Sequence, residues 1–326
     1  IASDKGLISF NGLHFELYDM GESEISSMIN WKGKLLLAES SGALTLVNET
    51  APEKSTASYE LEAEVRDQLV DHQGRLWVAT YGSGIFVFED IRADPKMIGI
   101  SEGLTDDYIY DLEIDSKGIV YAGTDKGLQV IDFQSGAPSF STLSEHSGLP
   151  DNLVTALCFD SVMGLWGGTQ SGELFLIDHN RKLVDLPPAV QTVEGQISGI
   201  VCLGETIWLC TDKGLVFEIN LRLQSFSGAH DLFEFESGRG FSSIILDDGG
   251  LIWICGKNNS LFHVDPRLEL IMEHEGMAFR EISAIELDEE DNLWFAMGDK
   301  VYRHYALFSG ANFLQEIKGI PEGVIV

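Results

Sequence analysis

The sequence predicts an all-β fold, a β-propeller built from four-stranded antiparallel blades. Three observations support this prediction. A phrase of two short apolar strands around a glycine turn recurs along the chain, for example DHQGRLWVATYGSGIFVFE at 71–89 and DSKGIVYAGTDKGLQVIDF at 115–133. The period is about 43 residues, which is typical of propeller blades. No long helical periodicity is present, so a fold of alternating strands and helices is excluded.

Each repeat is predicted to hold four strands. The first is apolar and ends at an aspartate, as in IYDLEID at 109–115 and ISAIELD at 282–288. A turn such as DSKG or DDGG follows, in which the aspartate caps its own turn and the glycine adopts a positive φ. The second strand carries a tryptophan in most repeats. A second glycine turn leads into the third strand, and a less regular fourth strand completes the unit.

The second strands align over the whole chain. The seven segments are LLLAE at 35–39, LWVAT at 76–80, IVYAGT at 119–124, LWGGT at 165–169, IWLCT at 207–211, IWICG at 252–256 and LWFAM at 293–297. The fourth position holds only small residues, namely Ala38, Ala79, Ala122, Gly168, Cys210, Cys255 and Ala296. Small side chains are expected where sheets pack tightly face to face around a ring.

The four cysteines are interpreted as buried thiols. Cys210 and Cys255 belong to the small-residue positions, and Cys158 and Cys202 lie in first strands of different repeats. Free cysteine behaves as a small hydrophobic residue. A disulfide or redox pair is the alternative, although no C-x-x-C spacing is present.

The two ends of the chain determine the predicted number of blades. Residues 1–19 match the end of a second strand followed by a third and a fourth strand, and residues 319–326 match a first strand. Joining them would complete a composite blade and remove exposed sheet edges. The prediction is therefore a single propeller domain over 1–326, with seven complete repeats and an eighth, composite blade. Seven blades, with the surplus strands placed elsewhere, is the alternative.

The charge of the chain excludes several classes of partner. The sequence contains 52 acidic and 21 basic residues, for a formal net charge of −31. Such a field repels nucleic acid and an anionic bilayer surface. No stretch approaches the ~20 apolar residues of a membrane helix, so no direct membrane insertion is expected. Because the chain starts at Ile1 without a leader-like segment, it is interpreted as a processed or excised fragment, and removal of a signal peptide is one explanation of this start.

The repeated phrase D-x-x-G-x-L-W-x-x-T-x-x-G-[LI]-x-x-[FI]-[DE] resembles the two-component regulator propeller repeat. The stretches SEGLTDDYIYDL at 101–112 and HSGLPDNLVTAL at 146–157 are similar to the D-G-L-P-x-N-x-V phrase of that family. The resemblance covers essentially the whole chain, with departures at Leu36 and Val120, which stand where tryptophan is usual.

The resemblance implies an extracytoplasmic sensor propeller of bacterial hybrid histidine kinases or of related signalling and surface proteins. It implies a periplasmic or extracellular location and a downstream signalling domain or partner protein. A homodimer is one expected oligomeric state.

The sequence shows no catalytic constellation. None of the eight histidines is paired at i, i+2 or i, i+4, and neither a G-x-S-x-G elbow nor a P-loop occurs. The acidic stretch DEEDN at 288–292 occupies a hairpin turn and lacks the spacing of an EF-hand. We therefore predict no catalytic residue, no metal and no cofactor.

A ligand site is expected at the mouth of the central channel. The loops before the first strand and between the second and third strands share that face. Its candidate residues are Arg66, Tyr81, Tyr108, Tyr110, Asn152, Arg239, Phe241, Lys257 and Arg280. Guanidinium groups and aromatic faces suit a carboxylate-bearing or sugar ligand. Alternatively, the arginines pair with nearby acids, for which the candidates are Glu64, Asp67, Glu236 and Glu281.

The leading functional hypothesis is a non-catalytic sensor that binds a small molecule or oligosaccharide at the channel mouth. The first alternative is a surface or secretion-associated scaffold for protein partners. The second is a lyase or hydrolase propeller, which would require clustered Tyr, His and Arg, or paired carboxylates with shifted pKa values, at the channel.

Overall fold

The computed structural model describes residues 9–10, 13–19, 24–48, 51–133, 138–204, 206–220, 225–231, 240–247, 250–256, 260–266, 270–273, 282–288, 292–297 and 300–304. Within these ranges the chain forms seven antiparallel sheets. The first strand of each sheet contacts the first strands of the next and the preceding sheet, including the last with the first, so the sheets form a closed ring. The predicted all-β propeller fold is confirmed.

The strands follow one another in chain order. Two precede the first blade, β1 (Ser9–Phe10) and β2 (Leu13–Asp19). Blade 1 contains β3 (Ile25–Asn30), β4 (Leu35–Glu39), β5 (Ala43–Asn48) and β6 (Ala51–Glu60). Blade 2 contains β7 (Val65–Val70), β8 (Leu76–Thr80), β9 (Ile85–Phe88) and β10 (Lys96–Ile98). Blade 3 contains β11 (Ile109–Ile114), β12 (Val120–Thr124), β13 (Gly127–Asp132) and β14 (Ser139–Leu143).

Blade 4 contains β15 (Val154–Asp160), β16 (Gly164–Thr169), β17 (Leu174–Ile177) and β18 (Leu183–Val184). Blade 5 contains β19 (Ile197–Leu203), β20 (Thr206–Thr211), β21 (Leu215–Asn220) and β22 (Ser225–Asp231). Blade 6 contains β23 (Phe241–Leu246), β24 (Ile252–Gly256), β25 (Ser260–Asp265) and β26 (Leu270–Glu273). Blade 7 contains β27 (Ile282–Leu287), β28 (Leu293–Met297) and β29 (Lys300–His304).

Helical structure is limited to short segments in the part of the chain that the structure describes. They are a 3-10 turn (Glu145–Ser147) and α1 (Pro188–Gln191). Neither is long enough to cross a bilayer, and no other described segment forms a helix that could do so.

The prediction of eight blades is wrong, and the seven-blade alternative is confirmed. β2 does not start a composite blade. It pairs antiparallel with β29, from Phe15 opposite His304 to Asp19 opposite Lys300, and so supplies the outer strand of blade 7. The physical reason is that the three strands at the end of the repeat array leave an unpaired edge on β29, which β2 covers. Residues 319–326 lie outside the described residues.

The second strands contribute large buried side chains to the blade cores. Trp77, Trp166 and Trp294 are among the largest fully buried side chains. In repeat 3 the predicted alignment of the second strand is wrong by one residue. Asp67 pairs with Ala79 and Asp111 pairs with Gly123, so Gly123, rather than Ala122, occupies the small position.

By the same register, Tyr121 rather than Val120 takes the place of the tryptophan in blade 3. The need for a small residue is direct, because a Cβ on Gly123 would lie 2.6 Å from the carbonyl oxygen of Val154 in the next blade.

The aspartate that ends the first strand holds the turn and the tryptophan together. In blade 2, Asp71 Oδ1 accepts hydrogen bonds from the backbone N–H groups of Gln73 and Arg75, while Oδ2 accepts one from Trp77 Nε1 at 2.8 Å. Trp253 and Trp294 make the equivalent bonds to Asp247 and Asp288, at 3.0 and 2.8 Å. The repeated phrase is therefore a local hydrogen-bonding unit, which explains why it can be read from sequence.

Each first strand begins with a β-bulge. In all seven blades the pairing register with the second strand shifts between the first and third residues of the strand. A bulge locally bends the strand and redirects the side chain of the extra residue. The second residue of each first strand is thereby placed at the ring centre.

Candidate functional site

The central channel is lined by the first strands of all seven blades. Its volume is about 340 Å³. The bulged second residues that line it are Ser26, Arg66, Tyr110, Thr155, Ser198, Ser242 and Ser283. The other side chains that line the channel differ in polarity between blades. Blades 2, 3 and 7 contribute Asp67, Gln68, Asp111 and Glu286, whereas the channel side chains deeper in blades 4 to 6 are mostly aliphatic, such as Leu157, Ile200 and Ile244.

Aromatic residues and one arginine form a cluster where the channel opens beside blades 2 and 3. The ring centroids of Tyr81 and Tyr108 are 4.8 Å apart, and those of Tyr81 and Tyr110 are 6.2 Å apart. The Arg66 guanidinium lies 4.6 Å from the Tyr81 ring centroid. Tyr81 and Tyr108 are 41% and 40% exposed, so their rings remain open to solvent. The loops before a first strand and after a second strand therefore do meet, as predicted.

Two polar contacts fix the orientation of this cluster. Arg66 forms an ion pair with Glu64, with 2.9 Å between Nη2 and Oε1. Pairing with a nearby acid is the alternative predicted for the arginines from sequence. The Tyr110 hydroxyl donates to Asp125 Oδ1 at 2.6 Å. Burial, followed by the bond to Asp125, raises the pKa of Tyr110, so its hydroxyl remains protonated and acts as a donor.

The structure describes two of the other predicted site residues, Asn152 and Phe241. Asn152 Oδ1 accepts a hydrogen bond from the backbone N–H of Glu145 at 2.9 Å and so holds the turn before β15. Phe241 is fully buried and packs against Phe262, with 6.0 Å between the two ring centroids. Arg239, Lys257 and Arg280 lie outside the described residues. Their part in a site stays a prediction.

Carboxyl groups connect neighbouring blades along one side of the channel. Asp67 of blade 2 accepts a hydrogen bond from the backbone N–H of Leu112 in blade 3, at 2.8 Å. Asp111 accepts one from the N–H of Leu157 in blade 4, at 2.6 Å. Both acceptors are third residues of a first strand, and both donors are fourth residues of the next. The inner edge of each blade has unpaired N–H groups, and these carboxylates satisfy them.

A second level of contacts uses glutamates at the fifth position of the first strand. Glu113 accepts from the N–H of Phe159 in blade 4 at 3.2 Å, and Glu286 accepts from the N–H of Asn30 in blade 1 at 3.4 Å. Burial raises the pKa of Glu113 to about 7 and that of Glu286 to about 8. Both groups therefore titrate near neutral pH.

The carboxyl groups of Asp67 and Asp111 also influence each other's pKa. Burial raises the pKa of both, and for Asp111 the negative charge of Asp67 adds to the effect. A shared proton is the expected consequence, because two adjacent carboxylates in an enclosed site repel each other when both are ionised.

Gln68 is the polar exception in an apolar position. The fourth residues of the other first strands are Met28, Leu112, Leu157, Ile200, Ile244 and Ile285. Gln68 is only 6% exposed and lines the channel, and among the described residues neither its Nε2 nor its Oε1 has a hydrogen-bond partner. Sequence reasoning missed this residue, although alignment of the first strands would have singled it out.

No group of three or more metal-ligating side chains occurs among the described residues. Asp288, which begins the acidic stretch considered above, accepts from the N–H of Asn292 and from Trp294 Nε1. It acts as a turn residue there.

The fold and the channel define a class, the seven-bladed β-propeller with an open polar channel. No protein-family model matches the chain, and no curated protein does. Among solved structures, it is similar to the extracellular domain of the hybrid two-component system BT3049 from B. thetaiotaomicron, with a TM-score of 0.74 and 20% identity over 90% of this chain and 41% of that one.

The extracellular domain of a second such system from the same organism, BT4673, is similar with a TM-score of 0.74 and 16% identity, over 92% of this chain and 43% of that one. This chain thus spans about two fifths of either domain. Virginiamycin B lyase from Staphylococcus aureus is similar with a TM-score of 0.73 and 13% identity, over 90% of this chain and 100% of that one. The predicted resemblance to sensor propellers of two-component systems is confirmed at the level of the fold.

Proposed function

We propose that the chain is a non-catalytic, extracytoplasmic sensor propeller of a bacterial two-component-type signalling protein, and that it binds a small molecule in the central channel. The neighbours that are extracellular domains of hybrid two-component systems support the sensor class. The observation that supports ligand binding is Gln68, whose buried amide has neither a donor nor an acceptor partner in the part of the chain that the structure describes.

The energetic argument starts from the cost of an unpaired buried polar group. Leaving a buried donor or acceptor unsatisfied costs about 1–3 kcal/mol. Six blades avoid this cost with an apolar residue at the fourth position, and blade 2 does not. A ligand that offers an acceptor to Nε2 and a donor to Oε1 would recover this free-energy cost. Gln68 therefore has the properties of a binding residue.

The dimensions and chemistry of the channel restrict the ligand. A volume of about 340 Å³ lies at the lower end of the range for ligand pockets, roughly 300–1,000 Å³. The ligand is thus a small polar molecule, such as a monosaccharide or the end of an oligosaccharide, with adjacent donors and acceptors. The exposed rings of Tyr81 and Tyr108 provide faces for a sugar at the mouth, and Arg66 supplies a donor.

Binding would transmit a signal by favouring one arrangement of the propeller relative to a downstream domain, a partner protein or a second copy of the chain. A periplasmic or extracellular location belongs to the same proposal.

A thermal-shift screen of the purified chain tests the proposal. The panel contains neutral and acidic sugars, amino acids and dicarboxylates. A ligand at 100 times its dissociation constant stabilises the protein by about 2.7 kcal/mol. We expect Gln68→Leu to remain folded, because it restores the apolar pattern, and to lose the shift. Gln73→Leu makes the same change at an exposed turn, and this variant is expected to keep the ligand-induced thermal shift.

A panel without any saturable shift would contradict ligand binding and favour the scaffold function. A full shift retained by Gln68→Leu would reject the channel as the site.

An enzymatic function is a second candidate, because the Asp67–Asp111 pair matches the paired carboxylates expected of a lyase or hydrolase. Both groups, however, already accept backbone hydrogen bonds that join blades. A catalytically inactive histidine-to-alanine variant of virginiamycin B lyase is among the similar structures, at 15% identity. No histidine is found among the described residues that line this channel.

Mass spectrometry of the panel compounds and of virginiamycin B after incubation with the chain distinguishes the candidates. We expect every compound to be recovered unchanged. Turnover that Asp111→Asn abolishes would establish the enzymatic candidate instead.

A further inference from the structure

Two cysteines of neighbouring blades face each other. Cys158 is the fifth residue of β15 in blade 4, and Cys202 is the sixth residue of β19 in blade 5. Their Sγ atoms lie 2.7 Å apart, although the two residues are 44 positions apart in sequence. Both residues are half-buried, so part of each residue is exposed to solvent.

The position of this pair matches the contacts that join other blades. Glu113, a fifth residue, binds the N–H of Phe159, the sixth residue of the next first strand. Glu286 and Asn30 have the same relation across the last and first blades. At the junction of blades 4 and 5 a fifth and a sixth residue meet as well, but the contact is between two side-chain sulfur atoms.

We propose that Cys158 and Cys202 form a disulfide bond that covalently joins blades 4 and 5 in an oxidising environment. The inference goes beyond the sensor function and does not depend on it. The other two cysteines, Cys210 and Cys255, are fully buried at the small-residue positions and keep the structural role predicted for them.

The oxidation balances with a small-molecule disulfide such as oxidised glutathione. One cysteine loses its proton to solvent and attacks the oxidant, which forms a mixed disulfide and releases one thiolate. The second cysteine loses its proton and attacks the protein sulfur of the mixed disulfide, which releases the second thiolate. The protein loses two electrons and two protons, and one oxidant molecule becomes two thiols.

The surroundings make the exchange slow. The hydrogen bond with Cys202, followed by burial, raises the pKa of the Cys158 thiol. Because the thiolate is the reactive form, oxidation without a catalyst is expected to take long incubation at mildly alkaline pH.

The first experiment counts reactive thiols in the full chain. The protein is incubated with oxidised glutathione, denatured without reductant, alkylated and weighed intact. We expect two alkylated cysteines out of the four in the sequence, and a peptide that links Cys158 to Cys202. Protein treated with dithiothreitol should carry four labels. Four labels after oxidation, or a bond between Cys210 and Cys255, would overturn the proposal.

A second measurement compares melting temperatures. A cross-link that closes a loop of this length is expected to raise the melting temperature on the order of 5 °C relative to the reduced protein. Cys158→Ala and Cys202→Ala should abolish the dependence on redox state, whereas Cys210→Ala should retain it. Equal melting temperatures of the oxidised and reduced wild-type protein would contradict a stabilising bond.

Discussion

Glu286 in the last blade accepts a hydrogen bond from the backbone N–H of Asn30 in the first blade, at 3.4 Å. Two contacts therefore close the propeller, one between inner strands and one at the outer edge of blade 7. The glutamate joins the inner strands β27 and β3, while β2 completes the outer edge of blade 7 through its pairing with β29. Each closure can be tested separately.

The inner closure predicts a dependence of stability on pH. Burial raises the pKa of Glu286 to about 8, whereas an unfolded glutamate titrates near 4.3. The folded protein thus holds a proton that the unfolded chain releases. Its contribution to stability is fully present below pH ~4.3 and is lost as the pH rises towards 8, with a total on the order of a few kcal/mol.

We expect the melting temperature of the wild type to fall between pH 5 and 8, and that of Glu286→Gln to fall less steeply. Glu113 has a pKa of about 7 for the same reason and accounts for part of the remaining slope. Glu60→Gln, at an exposed position, serves as the control and should follow the wild type. Identical slopes for Glu286→Gln and the wild type would contradict this assignment.

The outer closure predicts the effect of shortening the N-terminus. Removal of residues 1–20 deletes β2 and leaves β29 as an unpaired edge strand, which is prone to pair with other chains. We expect the melting temperature to fall by about 5–10 °C, and association to appear in size-exclusion chromatography with light scattering.

Removal of residues 1–8 retains β2 and provides the matched control. A shortened chain without β2 that stays monomeric and equally stable would show that blade 7 does not need this strand.

The turn aspartates predict a large effect from a single substitution. Asp71→Ala removes the acceptor for Trp77 Nε1 and for the N–H groups of its own turn, which leaves buried donors unpaired. We expect a loss of about 2–4 kcal/mol in urea unfolding. Asp90→Ala changes an exposed turn aspartate that accepts the N–H of Arg92, and should cost less than about 1 kcal/mol. Equal losses would mean that the bond to tryptophan contributes little.

The blades could be predicted because their determinants are local. Asp71, its turn and Trp77 lie within seven consecutive residues, and the same unit recurs at Asp247 and Asp288. The number of blades could not be predicted in the same way. It depends on whether β2 pairs with β29, a strand almost three hundred residues later, and no local sequence signal specifies a pairing over that distance.

The site was predicted only in part. Arg66, Tyr81, Tyr108 and Tyr110 follow from the order of strands and loops, and the structure brings them together. Gln68 stands out only when the first strands are aligned with one another, and the contacts of the carboxyl groups depend on the register between neighbouring blades, which a single repeat does not contain. The same register places Phe241 at the buried first position of its strand, in line with Ile25 and Val65.

The pairing of β2 with β29 also determines the order in which the molecule can be completed. During synthesis on the ribosome, β2 emerges before the first blade of this propeller, and its partner β29 emerges only after six blades have been translated. Until then β2 lacks the strand with which it pairs, and an unpaired strand can associate with chaperones or neighbouring chains. Contacts of such large sequence separation form slowly. The last event in the biogenesis of the propeller is therefore the docking of a strand that was made before its first blade.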